Sequence, residues 1–96
     1  MAWGGEEQTA RRVMPKGTIL YHNSDTRIEK FVSFGIPEST CFFTDDRGNG
    51  RYRYQVKTGF TRKVSYYGEE EVRFDLRRED RIIEISTGRV VSVEDI

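Results

Sequence analysis

Beyond Pro37 the apolar residues recur at a spacing of two and keep that spacing to the end of the chain. Tyr52, Tyr54 and Val56 alternate with Arg51, Arg53, Gln55 and Lys57, and Val72, Phe74 and Leu76 alternate with Arg73, Asp75 and Arg77. Successive side chains on a strand point to opposite faces, so each run reads as a half-buried strand with one polar face. A chain patterned this way over most of its length must build a sheet.

The other segments fill in around these two. Thr40 to Thr44, Phe60 to Tyr66 and Arg81 to Ile85 read as strands, and Arg89 to Val93 returns after a Thr87-Gly88 turn as the second arm of a hairpin. Asp45 to Gly50 is a loop on every local signal, with Gly-Asn-Gly supplying positive φ. Ahead of Pro37, the β-branched and aromatic run Thr18 to His22 is a first strand. Ser24 or Asp25 then caps a helix that places Ile28, Phe31 and Val32 on one side and stops at Gly35 and Pro37. The expected fold is α+β, a single small domain over residues 17–96 with one early helix packed on a largely antiparallel sheet of six or seven strands. Residues 1–16, poor in apolar side chains, are expected as a flexible arm.

Composition bounds what such a sheet can do. The chain has 96 residues, of which 35% are hydrophobic and 33% charged, and a chain of this size buries only about 60–70% of its unfolded surface. Six Phe, five Tyr and one Trp supply most of the large apolar groups, each able to bury roughly 150–250 Å². Sixteen basic residues balance sixteen acidic ones, so no global field draws the chain to nucleic acid or anionic lipid. One Cys and one His exclude a disulfide framework and an all-Cys/His zinc site. A reducing, cytoplasmic setting fits, with no metal, no membrane span and no leader expected. A core this thin is compatible with homo-oligomerisation.

Four features bear on chemistry. His22 ends the first strand, where an imidazole is either presented to a ligand or held as a hydrogen-bonded structural residue. Glu69, Glu70 and Glu71 run into the strand at Val72; Glu69 and Glu71 share a face there, as a pair able to stabilise a cation and orient an acceptor, or as a solvated acidic turn. Arg51 to Lys63 holds five basic residues among aromatics and no acid, a pattern of single-strand nucleic-acid readers and, more commonly, of an amphipathic strand. Cys41 beside Phe42-Phe43 reads as a buried, inert thiol.

Taken in order, Leu20-Tyr21-His22-Asn23-Ser24, a helix with Ile28 and Phe31, Gly35, Cys41-Phe42-Phe43-Thr44 and Glu69-Glu70-Glu71-Val72 resemble the ADP-ribosyltransferase family over roughly residues 17–86. The resemblance implies NAD as cosubstrate, with His22 on the nicotinamide-side ribose and Tyr21 beside it. It further implies Thr44 supporting the pocket, and Glu71 as the catalytic glutamate that stabilises the oxocarbenium-like transition state. Glu69 would orient the acceptor, and Tyr52 or Tyr54 would stack on the nicotinamide. The chain departs from the family at Thr44-Asp45-Asp46, where a Ser-Thr-Ser element is usual, and in running from Gly50 straight into a strand.

Two functions follow from this reading. One is mono-ADP-ribosyl transfer from NAD to a macromolecular target. The other is a catalytically inert binding protein that occludes a protein or nucleoprotein partner, by analogy with compact phage-encoded inhibitors of bacterial defence such as anti-CRISPR proteins. In that case Glu69, Glu70, Glu71, Glu79 and Asp80 would imitate phosphates. Direct binding of nucleic acid is the less favoured partner class.

Overall fold

The computed structural model describes residues 9–33, 42–45, 48, 50–67, 71–73 and 75–94. Among them are ten strands: β1 Thr9–Met14, β2 Ile19–Ser24, β3 Phe31–Val32, β4 Phe42–Thr44, β5 Tyr52–Lys57, β6 Arg62–Tyr67, β7 Glu71–Arg73, β8 Arg81–Glu84, β9 Val90–Val91 and β10 Val93–Glu94. Eight form one sheet in the order β1-β6-β7-β4-β2-β5-β8-β9, and β3 and β10 pair parallel beside it.

One register organises most of the sheet. Partners run from Thr9↔Tyr67 to Met14↔Arg62 in β1 and β6, and resume at Ile19↔Lys57 through Ser24↔Tyr52 in β2 and β5. No residue is gained or lost between the two ribbons. The long antiparallel pair therefore bends at residues 15–18 and 58–61 without slipping. Gly17, at φ 88°, donates to the Thr58 carbonyl at 2.8 Å, Thr58 N donates to the Thr18 carbonyl at 3.0 Å, and the buried Thr58 hydroxyl donates to the Pro15 carbonyl at 3.0 Å. Gly59 completes the bend, because a Cβ there would lie 2.0 Å from the Glu79 carbonyl oxygen.

Alternation then sorts the faces. Leu20, Val56, Ile82 and Val91 stand on one row across β2, β5, β8 and β9, and Phe43, Val72 and Tyr66 on another across β4, β7 and β6. With Met14, Phe31, Tyr54, Val64 and Leu76 they form the core, held by area removed from water at about 25 cal/mol per Å².

The expected α+β class is corrected: the domain is all-β, and no helix occurs among the described residues. The helix expected from Ser24 or Asp25 is overridden by bonds that take its amides elsewhere. The Ser24 hydroxyl closes a local turn with Thr26, accepting from its N–H at 3.2 Å and donating to its carbonyl at 2.7 Å. Ile28 N donates to the Tyr54 hydroxyl at 2.6 Å, Phe31 N to the Ser92 carbonyl at 2.9 Å and Ser33 N to the Glu94 carbonyl at 2.9 Å. Phe31 and Ser33 turn inward while Val32 is half-exposed, which is strand alternation and not a helical stripe. The helix's expected stop at Gly35 and Pro37 lies outside the described residues. Within the stretch expected as an arm, Thr9–Met14 is strand β1, and Met14 is buried.

Candidate functional site on the outer sheet face

Three strands bring Tyr21, Thr44 and Glu71 into one row, Tyr21 opposite Thr44 and Thr44 opposite Glu71. Directly paired residues share a face, and residues two apart on a strand share it too. Asn23 and Phe42 therefore stand on this same outward face. The five border a cavity of about 350 Å³ that His22 and Phe43 also line, near the lower end of the roughly 300–1,000 Å³ usual for small-ligand sites. Glu71 is exposed, and the other four are half-buried.

His22 and Phe43 have the opposite parity, and their rings meet in the core. The imidazole centroid lies 5.5 Å from Phe43 and 5.6 Å, edge-on, from Phe31. His22 is 8% exposed, and its Nδ1–H donates to the Phe42 carbonyl at 2.8 Å, since a carbonyl can only accept. Burial lowers its pKa below the usual 6.5, opposed by that hydrogen bond. The ring is thus neutral near pH 7.

Tyr54, fully buried, lies beside His22 in register, and Glu84 lies beside Tyr54. The Tyr54 hydroxyl accepts from Ile28 N and donates to Glu84 Oε2 at 3.2 Å. Glu84 Oε1 accepts from the Thr87 hydroxyl at 2.7 Å, and Oε2 also from Arg89 at 3.2 Å and Arg27 at 3.4 Å. The Thr87 hydroxyl first, then the Arg89 guanidinium, hold the Glu84 pKa down to about 2. With its oxygens engaged by four side chains, this carboxylate locks β8 to the segment at 27–28. Tyr52 packs against the core opposite Ser24, and like Tyr54 it does not line the Tyr21 cavity.

The sequence-expected residues are therefore divided. Tyr21, Thr44 and Glu71 meet at one cavity, His22 borders it with an inward ring, Tyr52 and Tyr54 lie elsewhere, and Glu69, Glu70 and Cys41 lie outside the described residues. Asp80, expected among phosphate-mimicking acids, is buried and accepts from Gly59 N at 3.0 Å, Arg77 N at 2.9 Å and the Arg62 guanidinium.

Sequence reading missed Asn23 and Phe42 in the cavity wall and Glu84 in the core. Glu84 follows Ile82 at a spacing of two, so strand alternation already placed a carboxylate on the buried face. Asn23 is gripped by the loop after β4: a Cβ on Gly48, at φ +65°, would lie 2.6 Å from Asn23 Nδ2, and one on Gly50 would lie 3.0 Å from Asn23 Cβ. Asn23 Oδ1 is buried and has no hydrogen-bond partner among the described residues.

A second cavity, also about 350 Å³, opens between β1, β6 and β7 and is lined by Arg11, Phe60, Arg62, Lys63, Val64, Ser65, Arg73, Asp75 and Arg77. Arg62 is paired with Asp80 and stacked 3.9 Å over the Phe60 ring. No group of three or more His, Cys, Asp or Glu among the described residues is placed to hold a metal ion, and no helix there is long and apolar enough to cross a membrane.

No family model, curated protein or solved structure matches this chain.

Proposed function

We propose that this protein is a small binding protein that acts by occupying a macromolecular partner with the outward face of its sheet. The observation that carries this reading is the division of His22 from Glu71. The family resemblance implies both groups at one reacting centre, whereas His22 packs between Phe31 and Phe43 and Glu71 is exposed to solvent. The outward face instead offers hydrogen-bonding and aromatic groups over a shallow hollow, the make-up of a recognition surface.

A second reading, transfer of ADP-ribose from NAD to a macromolecular target, is favoured by the convergence of Tyr21, Thr44 and Glu71 on one cavity. Incubation with labelled NAD and cell extract separates the two, comparing the wild type with Glu71→Gln. The binding reading expects no label above background with either protein and no heat of NAD binding by calorimetry. Label transferred by the wild type and lost in Glu71→Gln would overturn it in favour of transfer.

A further inference from the structure

Both outward cavities belong to one surface. Arg11, Ser65 and Arg73 stand in register across β1, β6 and β7, and Lys63 lies two residues from Ser65 on the same side. On β4, Phe42 is the register partner of Arg73, whose guanidinium lies 5.9 Å from the Phe42 ring. Arg73 lines the basic cavity and Phe42 lines the next one, so the two hollows adjoin at this pair. Going across the face, one meets Arg11 and Lys63, then Arg73, then Phe42, and then Tyr21 with Thr44 and Asn23.

We infer that this face binds single-stranded nucleic acid, with phosphates along Arg11, Lys63 and Arg73 and bases against Phe42 and Tyr21. Cations beside aromatic platforms are what a sequence-tolerant single-strand reader needs, because every base has a π-face and every nucleotide a phosphate. Among the described residues, the basic cavity is lined by Arg11, Arg62, Lys63, Arg73 and Arg77, of which Arg62 pairs with Asp80, and by the single carboxylate of Asp75. That imbalance is local, since the whole chain is neutral. Glu71 stands on the Tyr21–Thr44 row, where base edges lie, and can accept from an amine there. A duplex keeps its bases stacked inside and cannot use Phe42 or Tyr21. This inference rests on the binding reading and names its partner class.

Fluorescence anisotropy with a fluorescein-labelled single strand of about 12 nucleotides tests it, a length within the roughly 4–16 covered by one small β domain. Three phosphate contacts give a log–log salt slope of about −2, a roughly 20-fold loss of affinity between 50 and 200 mM salt. Arg11→Glu with Lys63→Glu should weaken binding at least about tenfold and bring the slope to about −0.7. Both residues are exposed on the sheet surface; should the double reversal misfold, Arg11→Gln with Lys63→Gln carries the same test. Tyr21→Ala should weaken binding without changing the slope, and Lys30→Glu, which breaks an exposed pair with Glu94 at the β3–β10 ribbon, should leave it unchanged. Absence of binding at low salt, equal binding by the charge-reversed protein, or a duplex bound as tightly as the single strand would each overturn the inference. Label transfer from NAD would overturn the binding reading independently.

Discussion

Replacing Phe31 by Ala should both loosen the fold and expose His22. Phe31 is fully buried and meets two rings edge-on, His22 at 5.6 Å and Tyr54 at 5.4 Å. Truncating a buried Phe to Ala costs about 3–5 kcal/mol, to which the two edge-to-face contacts contribute roughly 0.5–1.5 kcal/mol each. A domain of this size has a total stability of only about 5–14 kcal/mol at 0.05–0.15 kcal/mol per residue, so the substitution removes a large share of it. With a urea m-value of about 1–1.5 kcal/mol per molar, the midpoint should fall by roughly 2–5 M. The imidazole should titrate closer to 6.5 in the variant by NMR, because burial is the main cause of its lowered pKa. A midpoint shift below about 0.5 M, or a His22 titration unchanged by the substitution, would refute the packing argument.

Three further predictions concern the rest of the framework. Gly59→Ala forces a Cβ to within 2.0 Å of the Glu79 carbonyl oxygen and should destabilise by about 2–3 kcal/mol in urea unfolding, since backbone must shift to admit it. Glu84 contributes stability that is full above its unfolded pKa near 4.5 and is lost as pH falls toward its folded value of about 2; Glu84→Gln should flatten acid unfolding over that window, followed by circular dichroism. His22 acts in the same sense at higher pH. Its lowered folded pKa means the unfolded chain takes up the proton first, so stability falls as pH drops below 6.5, and His22→Gln should remove that dependence.

The strands were legible where packing and pattern agree. Tyr54, Val56 and Val72 alternate with polar residues, and all three face the core. The Thr87-Gly88 turn gives the β8–β9 hairpin, with Gly88 at φ 76°. The segment after Ser24 misled because Ile28, Phe31 and Val32 fit a helical stripe, while the deciding bonds come from Tyr54, Ser92 and Glu94, remote in sequence. Strand β1 was hidden because Thr-Ala-Arg-Arg-Val-Met shows little alternation, and only β6 supplies its partners.

For the site, the sequence reading grouped His22 with Tyr21, Thr44 and Glu71, whereas the structure turns the His22 ring into the core and leaves the other three on the outward face. Neighbouring strand positions point apart, so Tyr21 faces outward while the His22 ring packs into the core and only borders the cavity. The basic and aromatic run from Arg51 to Lys63 is similarly divided: Tyr54 is core, and Lys63 joins Arg11 and Arg73 from other strands at the outward basic cavity. That grouping depends on strand order, which no local pattern reveals.

His22 is the chain's single histidine, so its accessibility can be read without ambiguity. Diethyl pyrocarbonate modification followed by mass spectrometry, with and without NAD, tests most directly whether this side chain belongs to the core or to a reacting centre. The structure predicts slow modification in the folded protein, fast modification in urea, and no effect of NAD. Fast modification of the folded protein that NAD suppresses would contradict the account.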